Sequence, residues 1–76
     1  MTPEQLQIGK IYAPKSKQFY LVRRLEDICV SQKYGGKIVV TMDFSPDQRH
    51  HCGTGFMMLS KFAKWADHTV EPVIFP

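Results

Sequence analysis

The chain is poor in cysteine and has no long apolar run. It holds two cysteines, Cys29 and Cys52, among 76 residues. A secreted domain of this size usually carries about four or more, so two reduced thiols are expected rather than a disulfide framework. The longest apolar stretches reach four residues, as in Phe56-Met57-Met58-Leu59. Crossing a bilayer as a helix takes about 20, so no membrane partner is expected. Residues 1–10 show neither the basic start nor the apolar run of a secretory signal. The expected compartment is the cytoplasm. Neither sign of charge dominates: ten Lys and Arg against seven Asp and Glu leave a net +3. Such a balance permits contact with nucleic acid or with an acidic protein surface and demands neither. There is no internal repeat, low-complexity segment or linker.

At this length there is room for one domain, with a core spanning about residues 8–70 and an apolar tail at 71–76. The clearest signal is Lys37-Ile38-Val39-Val40-Thr41-Met42-Asp43-Phe44. Its period of two sets Ile38, Val40, Met42 and Phe44 on one face and Val39, Thr41 and Asp43 on the other, which predicts a strand. Tyr34-Gly35-Gly36 before it predicts a hairpin turn. A second strand runs from Gln18 to Arg24 and on through Ile28-Cys29-Val30-Ser31, with Leu25-Glu26-Asp27 as a bend or bulge.

Lys10-Ile11-Tyr12-Ala13 reads as a first strand, ended by Pro14-Lys15-Ser16-Lys17. Thr2-Pro3-Glu4-Gln5-Leu6 reads as one helical turn capped by Thr2. After a loop at Ser45-Pro46-Asp47-Gln48-Arg49, His50-His51-Cys52 enters a short strand that Gly53-Thr54-Gly55 breaks. Phe56 to Leu59 reads as strand or buried turn. Ser60 is the expected cap of a short helix at 61–66, with Phe62, Trp65 and Ala66 on one stripe and Lys61 and Lys64 opposite. Phe62 and Trp65 are expected to anchor that helix to the sheet. His68-Thr69-Val70 closes the set. The expected fold is mainly β: a small SH3-like barrel of four to five strands with one short helix before the last. An OB-like barrel and an α+β sheet are the alternatives.

Several residues then carry a resemblance. Gly9-x-x-Tyr12, Phe19-Tyr20-x-Val22, Ile38-Val39-Val40, Cys52 and Met57-Met58-Leu59-x-x-Phe62, in that order, resemble small uncharacterised phage and lambdoid-prophage proteins with a minimal SH3-like barrel. The likeness spans most of residues 8–70. It departs at Pro14-Lys15-Ser16-Lys17, where those proteins have an Asp/Arg-Gly turn, and at a longer loop over 45–51. It implies a fold class and a phage or prophage origin. It implies no activity, since none of its motifs is catalytic.

The residues that suggest chemistry do so weakly. His50, His51, Cys52, His68 and Cys29 are zinc-ligand types, but the repeated paired spacing of a zinc site is missing. Neighbouring ligands on a strand also point apart. Cys52 with His51 or His68 would make a nucleophile and base, with Gly53 and Gly55 amides as oxyanion donors. A single small barrel rarely encloses the cleft this needs. No catalytic residue, metal or cofactor is expected.

Two binding surfaces remain. Tyr34, Met57, Met58, Val73, Ile74 and Phe75 form an apolar set suited to a host or phage protein, whose inhibition would be the function, or to self-association as a homodimer. Lys15, Lys17, Arg23, Arg24, Lys33 and Lys37 lie among Tyr12, Phe19, Tyr20 and Tyr34, a basic and aromatic set suited to nucleic acid. A non-catalytic protein-binding module is the first expectation and a small nucleic-acid-binding domain the second.

Overall fold

A computed structural model describes residues 1–16, 18 and 20–74. Among these, a 3-10 turn, Pro3–Gln5, precedes five strands and one helix. The strands are β1 (Ile11–Ala13), β2 (Val22–Ser31), β3 (Gly36–Phe44), β4 (His51–Met58) and β5 (His68–Val70), with α1 (Leu59–Trp65) between β4 and β5. All neighbours pair antiparallel, in the order β4-β3-β2-β1-β5. This is the mainly β, barrel-like sheet that the sequence predicts, with the helix before the last strand.

The β2–β3 hairpin forms the long axis of the sheet. Gly35 takes φ +70° at its tip, a conformation that favours glycine. The Tyr34 amide donates to Ser31 Oγ and the Gly35 amide to the Gln32 carbonyl. A register shift between Leu25 and Asp27 leaves Glu26 as the extra residue. That bulge matters for packing. Leu25 and Ile28 are three apart and would face opposite ways on a regular strand. With the bulge, they pair with Thr41 and Val39, which share one face, and both turn toward the helix.

β4 departs from the expected pattern. Gly53-Thr54-Gly55 does not break it; the strand runs unbroken from His51 to Met58, paired to β3 throughout. The ladder absorbs Cys52 as a bulge between the Asp43–Gly53 and Phe44–His51 pairs. Backbone pairing to a long partner outweighs the weak strand preference of the glycines. The helix also starts earlier than expected. Met58 is its N-cap, and Ser60 lies inside the first turn without a capping role. β2 likewise begins at Val22 rather than at Gln18.

The sheet buries both faces unequally. The helix side holds Leu6, Tyr12, Leu25, Val39, Phe62, Ala63 and Ala66. Phe62 is fully buried, edge-on to Tyr12 at 5.7 Å and stacked with Trp65 at 5.5 Å. Full burial of one such side chain is worth about 1.5–3 kcal/mol. Trp65 is only half-buried, at the rim of this core rather than in it. The opposite side holds a smaller cluster, Ile11, Ala13 and Val22, flanked by Tyr20, Phe44 and Val70. β1 is covered on both faces, so all three of its residues are buried.

A polar group is built into the helix-side core. Thr41 Oγ1 donates to Asp43 Oδ1 at 2.7 Å, and both residues are buried. Arg23 Nε lies 3.7 Å from the same carboxylate oxygen. Its guanidinium sits 5.0 Å from the centre of the Trp65 ring. Among the described residues, the buried Arg23 Nε has no hydrogen-bond partner, and Coulomb attraction and the ring face hold it there.

Candidate protein interface

The half-covered face of the sheet is the one with the apolar run. Ile38, Val40, Met42 and Phe44 share a face of β3, and none of them is fully buried; Val39, Thr41 and Asp43 on the other face are. Cross-strand pairing extends the apolar rows outward. Ile38 pairs with Cys29 and Met58, and Val40 with Asp27 and Phe56. Phe56 remains 66% exposed, which is unusual for a phenylalanine on a paired strand.

At the hairpin end these residues meet the turn and the helix. Tyr34, Ile38, Phe56, Met57, Met58 and Lys61 line an open groove of about 250 Å³. Tyr34 is 54% exposed within it. Three of the six sequence-predicted protein-binding residues, Tyr34, Met57 and Met58, border it, but Met57 pairs with Val39 and packs on the helix-side core, on the face of β4 opposite to Phe56 and Met58. Phe56 was missed because it follows two glycines and reads locally as the start of a buried segment. Its cross-strand pairing with Val40 is a long-range fact.

The groove lies along the edge of the sheet. β4 is a terminal strand, and among the described residues no backbone hydrogen bond outside its ladder with β3 reaches it. Natural edges are usually guarded by lysine, proline or shortness. β4 is eight residues long and contains neither lysine nor proline. The other edge, β5, is three residues long and is followed at once by Glu71-Pro72.

Two of the other predicted apolar residues, Val73 and Ile74, lie apart from this groove. Val73 borders a separate hollow with Ile11, Arg24, Phe44, Gln48 and Pro72. Gln48 ties the tail down there: its Nε2 donates to the Glu71 carbonyl at 2.8 Å and its Oε1 accepts the Val73 amide at 3.0 Å. Ile74 is 92% exposed beyond that tether. Phe75 lies outside the described residues.

Among the described residues, the predicted basic set is divided between faces. Arg23 and Arg24 are consecutive on β2 and point to opposite faces. Arg23 turns inward to Asp43 and Trp65. Arg24 is held by Glu26 Oε1, at 3.1 Å from Nε and 2.8 Å from Nη2, and lies over the Phe44 ring. Both guanidiniums therefore serve internal contacts. Lys33 and Lys37 flank the hairpin turn, and Lys33 stands 5.7 Å from the centre of the Tyr34 ring. Lys15 is exposed in the loop after β1. Lys17 lies outside the described residues.

The histidines and thiols are dispersed as well. Cys29 and Cys52 are both free, on β2 and β4 with β3 between them. Cys52 Sγ contacts the His50 carbonyl at 3.5 Å. His68, on β5, pairs with its neighbour Asp67 at 2.9 Å. Among the described residues, no three His, Cys, Asp or Glu side chains are grouped as metal ligands. Nor is any helix long and apolar enough to cross a membrane. Comparison of the chain with protein-family models, with curated proteins and with solved structures returns no match.

Proposed function

We propose that this protein is a non-catalytic protein-binding module, a phage or prophage accessory protein that acts in the cytoplasm on a host or phage protein. One observation carries the reading: Tyr34, Ile38, Phe56, Met57 and Met58 border one groove beside the open edge of β4. Apolar residues gathered into one patch on a small domain, here with Tyr34 and Phe56 exposed, mark an interaction site more often than an accident of surface. Methionines suit such a patch because their flexible side chains adapt to a partner. The phage or prophage origin rests on the sequence resemblance. Occlusion of a host factor's own surface is the mode of action that a catalytically plain module can exert.

Nucleic acid is the second reading. Lys33 and Lys37 favour it, and the internal engagement of Arg23 and Arg24 counts against it. The two separate by salt and by residue. Tagged protein is used to capture partners from bacterial lysate with nuclease present, and bound material is eluted by stepped salt. A stoichiometric protein that survives both, and that is lost with Phe56→Ser, supports the module. Bound material that vanishes with nuclease or with modest salt replaces it with the nucleic-acid reading, because phosphate contacts weaken steeply with salt.

A further inference from the structure

Resting on that reading, we propose that the segment this groove takes is acidic and extended, with apolar and Asp or Glu residues in alternation, and that it pairs with β4 as a sixth strand. The open edge of β4 supplies the geometry. An added strand gains main-chain hydrogen bonds along the edge, while its alternate side chains enter pockets on the sheet. Phe56 and Met58, two apart on β4, share the face on which Ile38 and Val40 lie. They offer such pockets at the two-residue repeat of a strand.

Charge selects the chemistry of the partner. Two stretches, residues 28–42 and 51–66, supply all the lining residues of the groove. Those two segments carry four lysines, Lys33, Lys37, Lys61 and Lys64, and no aspartate or glutamate. All seven acids of the chain lie outside them. Among the described residues, none of the four lysines enters an ion pair. Lys61 itself lines the groove, and Lys33 stands beside Tyr34. The lining of the groove carries Lys61 and no acid, and Asp27 stands one strand further in, across from Val40; an apolar groove with a cation at its lip favours a ligand of the opposite sign. A second copy of this chain fits less well, because its own β4, His51–Met58, brings no carboxylate to meet the lysines.

Fluorescence anisotropy with the full chain tests this. The probes are fluorescein-labelled peptides of about eight residues, one strand length. One alternates Val and Phe with Glu; matched peptides carry Ser or Lys in place of Glu. The Glu peptide is expected to bind about tenfold tighter than the Ser peptide at low salt, the sum of a few exposed pairs. The Lys peptide is expected to bind more weakly than either. Raising salt toward 1 M removes the Glu preference, since screening then acts within about 3 Å. The triple variant Lys33→Gln, Lys37→Gln, Lys61→Gln brings the Glu peptide to the level of the Ser peptide. Methylating the alternate peptide amides that face the edge weakens binding in every series.

Equal binding of the Glu and Ser peptides overturns the acidic partner and leaves the groove intact as an interface. Peptides that fail to bind, with lysate capture still sensitive to Phe56→Ser, overturn strand pairing alone. A dimer in sedimentation that Phe56→Ser dissolves and the Glu peptide does not displace assigns the edge to a second copy instead. A single-stranded oligothymidine that binds as tightly as the Glu peptide, unaffected by Phe56→Ser, assigns the lysines to nucleic acid.

Discussion

Gly55 lies directly over Thr41. The two are cross-strand partners, and a Cβ built on Gly55 would stand 2.6 Å from Thr41 Oγ1 and 3.1 Å from Asp43 Oδ2. Neither polar group can easily retreat, because each holds the other in a 2.7 Å hydrogen bond inside the core. The glycine is therefore a packing requirement of the buried polar pair.

Gly55→Ala should lower stability by about 1–3 kcal/mol, the usual cost of forcing an extra carbon into a packed site. Urea denaturation of the single and double variants checks the cause. Combined with Thr41→Ala, which removes the hydroxyl in its path, the substitution should cost less than the sum of the two alone. Additive losses would place the strain elsewhere.

Phe62→Ala should cost about 3–5 kcal/mol, since the ring is fully buried between Tyr12 and Trp65. Trp65→Ala should cost less, because that indole is already half-exposed. The ranking is read from denaturation midpoints at constant slope. Equal losses would mean that the Arg23 guanidinium, left without its ring, adds its own penalty.

Phe56→Ser should leave stability within about 0.5 kcal/mol, as for other exposed positions away from core and caps. The side chain is 66% exposed, so little burial is lost. Thermal melting of the variant beside the parent checks this, and it separates any loss of binding from loss of fold.

Asp47 organises the loop between β3 and β4. Its carboxylate accepts the Ser45 hydroxyl at 2.6 Å and the Arg49 amide at 3.0 Å. The Ser45 hydrogen bond first, and the Arg49 amide next, hold its pKa below the ordinary 3.8. A depressed carboxyl favours the folded loop above the unfolded pKa and loses that contribution as pH falls through the folded one. The loop should therefore loosen only below about pH 4. An NMR titration of the Asp47 carboxyl should give a midpoint under 3.8 in the native protein, and a higher midpoint with Ser45→Ala if the hydroxyl is the chief cause.

Much of this architecture was legible in local signals. The period of two in 37–44, the glycines at 35 and 36 and the bulge near Glu26 gave β3, its turn and the irregularity in β2. The Phe62 stripe gave the inward face of α1. Each signal acts over a few residues, where backbone sterics and side-chain periodicity decide. The continuity of β4 through Gly53 and Gly55 was not legible, because it depends on pairing with β3. The division of the described basic residues between faces was not legible for a similar reason. Charge along the sequence says nothing of which carboxylates a fold brings alongside, and Glu26 and Asp43 engage both arginines.

The interface is divided in the same way. The amino-acid sequence by itself determined that Tyr34, Met57 and Met58 are apolar and that their surroundings bear lysine without acid. It also determined that Ile38, Val40, Met42 and Phe44 share a face opposite to Val39, Thr41 and Asp43. Which of those faces is covered was decided only in three dimensions. α1 packs on the side of Val39, where Phe62 and Ala63 fill the space over Leu25 and Tyr12, and one short helix covers only one side of a sheet. The more apolar face of β3 is left half-open with Phe56 at its margin, because alternation sets which residues travel together and long-range packing sets where they go.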